Sequence, residues 1–187
     1  MPIARKVPGK VMTDNEFIPQ EGAKGFLTVW KRIITDPQGF YAEMPAGGGF
    51  DKPLIFLGVC AAVYLVLRIL VADTMILATV SFFLVVLAYV LGPGILMLVA
   101  QTLFQGDGDY EGTVRVCAYA GACLVLAWLP YLGVLAFVYA FYLIFLGTGK
   151  IHNLDPTKAT LTVLVSVPVT WLVLMFVLGK RVLQYIF

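Results

Sequence analysis

Three carboxylates in D-G-D-Y-E-G, Asp107, Asp109 and Glu111, stand at alternate positions, which is how an oxygen-ligand loop for calcium begins. The twelfth position of such a loop is a bidentate glutamate; counted from Asp107 it is Ala118 here, inside an apolar stretch. The same acids also suit the start of a helix, where negative charge complements the dipole, and that is the simpler expectation. His152 is the single histidine, with no second histidine or cysteine at ligand spacing, so it is expected in a solvated loop and not at a metal. Its ordinary pKa of ~6.5 would suit proton sensing. No serine, cysteine or lysine stands with a base and an orienting acid in a known pattern, and no phosphate loop or dinucleotide fingerprint occurs. The expectation is a protein that is not an enzyme, with no catalytic residue, no cofactor and no metal.

Arg68 is the one basic residue deep in an apolar run, and charge at membrane depth is a candidate for transport because burying it is costly. It sits near the end of its run, where its long side chain can reach the interface or meet Asp73. Gly92-Pro93-Gly94 removes one helical hydrogen bond and opposes the Tyr89 carbonyl, so a bend or partial unwinding is expected, and exposed carbonyls there could hold an ion. Thr162, Ser166 and Thr170 recur every four residues as a small hydroxyl face, and Cys117, Ala118, Gly121 and Ala122 have the spacing that lets helices approach closely. Arg68, Gly92, Pro93, Gly94, Ser166 and Thr170 are thus the residues for transport or for packing. The three cysteines, Cys60, Cys117 and Cys123, all lie in apolar stretches and read as buried hydrophobes.

The elements that carry these residues follow from composition. Of 187 residues, 60% are hydrophobic and 13% charged, against ~45–50% and ~25% in soluble domains. So apolar a surface must face lipid. The net charge of +2, with no dense basic block, argues against nucleic acid. No apolar stretch of signal-peptide length occurs in the first fifty residues, so insertion is expected to rely on internal spans.

Residues 1–24 are polar and broken by prolines and glycines, and are expected to form a flexible tail. Residues 25–52 hold a short amphipathic helix expected in the membrane interface, with Phe26, Val29, Trp30, Ile33 and Ile34 on one face, stopped by Asp36-Pro37 and followed by a linker with three glycines. Residues 53–187 read as an all-α transmembrane bundle of five spans: Pro53 to about Ala72, Thr74 to Phe104, Thr113 to Leu129, Tyr131 to about Leu146 and Ala159 to about Leu178. With the N-terminus in the cytoplasm, Arg5, Lys6, Lys10, Lys24, Lys31, Arg32, Lys52, Arg115, Lys150 and Lys158 lie inside, and only Lys180 and Arg181 outside.

Three strings resemble the YIP domain family of integral membrane proteins, named for interaction with Ypt/Rab GTPases in eukaryotes and common in bacteria. They are W-x-x-I-I-x-D-P-x-x-F-Y from Trp30 to Tyr41, F-x-G-D-G-D-Y-E-G-T-V-R-V-x-A-Y-A from Phe104 to Ala120, and G-T-G-K-I-H-N-L-D-P-T-K-A from Gly147 to Ala159. The resemblance implies five helices with a cytoplasmic N-terminus. The short tail is similar to the bacterial branch, which implies a protein of the inner membrane without a prenylated GTPase as partner. The expected role is an adaptor or accessory subunit that contacts the lipid bilayer and packs with other integral membrane proteins or with itself. Trp30, Phe40, Tyr41, Tyr110 and Arg115 are the expected anchors of a partner surface, since aromatic and arginine side chains are enriched at such sites. The competing expectation is a small oligomeric transporter or channel for an ion or small solute.

Overall fold

A computed structural model describes the backbone of residues 16–71 and 75–186, and the side chains of these apart from 77, 130 and 177–186. The described residues are helical with no strand. After a 3₁₀ turn at Pro19–Glu21 come α1 (Gly22–Thr35), α2 (Pro37–Glu43), α3 (Asp51–Val71), α4 (Met75–Phe104), α5 (Tyr110–Ala120), a 3₁₀ turn (Gly121–Cys123), α6 (Leu124–Ala127), α7 (Pro130–Ile151) and α8 (Pro156–Ile186). Among the described residues, four stretches are long and apolar enough to cross a membrane: Asp51–Val71, Ala78–Phe104, Tyr131–Ile151 and Pro156–Phe176.

The stretch read as the third span is in three pieces. α5, the 3₁₀ turn and α6 follow one another through the middle of the bundle, and every residue from Gly112 to Leu124 is buried by the other helices. Small residues permit this: a Cβ on Gly121 would lie 2.5 Å from Leu57 Cδ1 of α3. The small-residue face therefore serves packing inside one chain. Leu129, extended at φ −80° and ψ 130°, precedes Pro130, which opens α7, as the steric clash of a proline with its predecessor requires.

α1 buries Gly25, Val29 and Ile33, with Phe26, Trp30 and Ile34 packed partly behind them, while Lys31 is exposed. Asp36 ends α1 and starts α2, its carboxylate accepting the Gly39 N–H at 3.1 Å. The expected linker after Asp36 is thus corrected: its first part is a helix, because Asp36 caps and Pro37 occupies the first turn. The two short helices lean on α7, whose Tyr139 hydroxyl donates to the Ile34 carbonyl at 3.0 Å.

α4 runs unbroken with Pro93 inside it, so the expected unwinding at Gly92-Pro93-Gly94 does not occur; the helix tolerates the single lost hydrogen bond. Arg68 lies partly buried in the last turn of α3, and Asp73 falls outside the described residues. On α8, Thr162, Ser166 and Thr170 are buried, and each hydroxyl bonds the carbonyl one turn earlier. All three cysteines are buried and free.

Candidate functional site

The chain runs back and forth, so the ends of α4 and α7 and the starts of α3, α5 and α8 share one end of the bundle with α1 and α2. There the loop at 105–109 meets the turn at 152–155. Asp109 caps α5: its carboxylate accepts the Gly112 N–H at 2.8 Å, and its carbonyl accepts the Thr113 hydroxyl at 2.7 Å. The Asp107 carboxylate accepts from the Asn153 side-chain amide at 2.9 and 3.1 Å. Glu111 accepts the Gly49 N–H at 2.6 Å. The three acids thus point at three different partners, and among the described residues no group of three or more histidine, cysteine or acidic side chains could hold a metal ion.

His152 is 1% exposed, which corrects its expected place in a solvated loop. The turn folds its ring under the glycine loop, where a Cβ on Gly108 would lie 2.6 Å from Nδ1 and one on Gly106 3.2 Å from it. Glycine at these positions is what admits the imidazole. Nε2 lies 2.9 Å from the Thr113 hydroxyl. Since that hydroxyl gives its only proton to Asp109, the ring must donate through Nε2, leaving Nδ1 a buried acceptor without a partner among the described residues. Burial lowers the His152 pKa from its ordinary value, and the nearby Asp107 and Asp109 charges pull the other way without offsetting it.

Beside this junction lies a second one. Arg115 on α5 is fully buried, donating from Nη1 to the Gly49 carbonyl at 2.9 Å and from Nη2 to Glu16, which also takes Lys52 at 2.6 Å. Nε has no partner among the described residues. Burial alone would raise the Glu16 carboxyl, but the bonds and charges of Lys52 and Arg115 outweigh it and hold it below the usual value. Gly48 and Gly49 carry positive φ, 130° and 89°, so the joint between α2 and α3 takes a shape that suits glycine and brings its backbone to Arg115 and Glu111.

The expected partner anchors divide. Phe40 and Tyr41 are buried by this chain: the Phe40 ring sits 5.1 Å from Tyr119, and the Tyr41 hydroxyl donates to the Val116 carbonyl at 3.3 Å. Gly147 of α7 makes room for both Tyr41 and Val116, since a Cβ there would lie 3.0 Å from the Tyr41 ring and 2.5 Å from Val116. Trp30 is partly buried and donates from Nε1 to the Ala122 carbonyl at 3.0 Å. Phe40, Tyr41 and Arg115 are enclosed by their own chain, which takes them off the expected open surface, and Trp30 is enclosed in part. Tyr110 remains 44% exposed, and its ring lies 6.2 Å from that of Phe50, itself 39% exposed.

Sequence reasoning missed Glu16, Phe17, Phe50, Tyr119 and Tyr139. Phe17, 3% exposed, gives its N–H to the Tyr119 hydroxyl at 3.2 Å. Both Glu16 and Phe17 lie within the expected flexible tail, which is corrected from residue 16 onward, while residues 1–15 fall outside the described residues; an aromatic within a polar stretch was the available signal for Phe17, and nothing local marked Glu16.

The Yip1 domain family model matches residues 31–179. No curated protein and no solved structure matches the chain.

Proposed function

Because the chain belongs to the Yip1 domain family and is an integral membrane protein, we propose that it is a non-enzymatic adaptor or accessory subunit that presents a fixed surface to a partner membrane protein. The observation that carries this reading is the exposed Phe50–Tyr110 aromatic pair on an end of the bundle otherwise tied down by Arg115, Glu111 and the glycine joint. Aromatic rings held on a rigid base make effective anchors, since little freedom is lost when a partner covers them. On this reading the loop end faces the cytoplasm, α1 and α2 form the interfacial unit ahead of the bundle, and the protein resides in a bacterial inner membrane. The α5–α6 unit makes the fifth crossing; residues 110–127 span about 27 Å at ~1.5 Å per residue, close to the ~30 Å of hydrocarbon.

The transporter reading is weaker. Gly92, Ser166 and Thr170 do line one cavity, but both hydroxyls already give their protons to their own helix. The test is purification from native membranes in mild detergent. A partner that copurifies with the unaltered protein should be lost from the Phe50→Ala/Tyr110→Ala variant with the helices intact. Equal recovery of the partner by both proteins would reject the surface.

A further inference from the structure

The cavity that Gly92, Ser166 and Thr170 line lies between α3, α4, the α5–α6 unit, α7 and α8 and has a volume of about 220 Å³. It is elongated along the bundle. Its wall runs from Val85 to Leu96 on α4 and from Gly133 to Ile144 on α7, in each case about 16 Å of helix at ~1.5 Å per residue. Small residues create the space: Ala88 and Gly92 on α4 face Gly133, Ala136 and Ala140 on α7. Phe137 lines the cavity and is also 48% exposed, and its neighbours Val134 and Val138 are exposed at 64% and 61%. The cavity therefore reaches the outer flank of α7 within the stretch fit to cross the membrane.

We propose that this cavity seats one linear hydrocarbon chain of a membrane phospholipid. Water has little to hold it there. The wall is mostly apolar; its polar side chains are Tyr64, Tyr89, Trp171, Ser166 and Thr170, and the Ser166 and Thr170 protons are spent on the Thr162 and Ser166 carbonyls at 2.6 and 2.8 Å. A dry apolar cavity of ~150 Å³ already accepts benzene, and this one is larger, with a wall that follows α4 and α7 along the bundle. At its depth the abundant matter of that shape is an acyl chain. Leaving lipid for the cavity brings no hydrophobic gain, since lipid tails are as apolar as the wall. What favours entry is dispersion contact: the lining atoms of an empty slot have no partners on one side, and a chain supplies them. The proposal is independent of the adaptor reading, because it concerns the centre of the bundle and not its loop end.

The test uses the full chain in phospholipid vesicles doped with a phosphatidylcholine that carries a diazirine midway along one acyl chain. After irradiation, the cross-linked residues are mapped by mass spectrometry. Leu96, Cys117 and Leu124 line the cavity and are 3%, 6% and 6% exposed, out of reach of bulk lipid, whereas Val90 and Leu98 face outward at 58% and 56%. Labelling of the inner three beside the outer two is expected. A Cβ on Gly92 would meet nothing within 4 Å, so Gly92→Leu can fill the slot without a backbone clash; it should cut inner labelling several-fold and leave outer labelling unchanged. If helicity shows that this variant misfolds, Ala88→Leu, one turn earlier, serves in its place. Outer labelling alone in the unaltered protein, or inner labelling that neither filled variant reduces, would overturn the proposal. So would inner labelling by a free diazirine fatty acid but not by the phospholipid, which would assign the slot to a different source of chain.

Discussion

The Thr113 hydroxyl stands 2.9 Å from His152 Nε2, joining the first turn of α5 to the residue that closes α7. Nε2–H can donate this bond from either form of the ring, but the site favours the neutral one, because a second proton would fall on a buried Nδ1 with no partner among the described residues. A pKa depressed by burial means that the unfolded chain binds more protons between the two values, so the junction's stability is complete above ~6.5 and is lost as pH falls through the lower folded value. Amide exchange at 106–109, corrected for intrinsic rates, should quicken on going from about pH 7.5 to about pH 5.5. In His152→Gln, which has no ring to titrate, that pH response should vanish. The same response in both proteins would place its origin elsewhere.

Arg115 ties Glu16 and Gly49 to α5 from a fully buried position. Arg115→Ala leaves the Gly49 carbonyl and much of the Glu16 charge unanswered, and should cost about 3 kcal/mol in unfolding measured in detergent. Arg115→Lys should restore only part, because an ammonium lacks the planar fork that reaches two acceptors. Tyr110→Ala, at an exposed site, should stay within ~0.5 kcal/mol. Equal effects from Arg115→Ala and Tyr110→Ala would show that the buried pair is not what holds the joint.

Two glycines should answer oppositely to alanine. At Gly108 the new Cβ would lie 2.6 Å from His152 Nδ1 and 2.8 Å from the Ile151 carbonyl, with no room to yield. A loss of ~1–3 kcal/mol is expected from that overpacking. At Gly58, exposed in α3 with nothing within 4 Å, alanine should gain ~0.5–1 kcal/mol from reduced backbone freedom. The two melting temperatures decide it.

Sidedness follows from the number of crossings. Five put the two ends of the chain on opposite faces of the membrane, and four put them on the same face. Topology reporters fused separately to the N-terminus and after α8 should report the cytoplasm and the opposite side, respectively. The same side for both would remove the α5–α6 unit from the count of crossings.

What the sequence by itself determined is the helical membrane character and most of the element ends. Those depend on local facts: the length of an apolar run, Asp36 before Pro37, Leu129 before Pro130, and Asp109 as a cap. What only the tertiary structure decided is which side chains have surface to offer. His152 looked solvated among polar neighbours, and Phe40, Tyr41 and Arg115 looked like anchors, yet all are buried. Their partners come from far along the chain, Thr113 for His152, Val116 for Tyr41, and Glu16 with Gly49 for Arg115. The α5–α6 unit shows the same division: its apolar length was legible, but its central position was not, because that depends on Gly121 meeting Leu57. Burial by distant parts of the chain, and hydrogen bonds that act over a few ångströms between residues far apart in sequence, leave no mark in local spacing, unlike the buried face of α1, which its helical period showed.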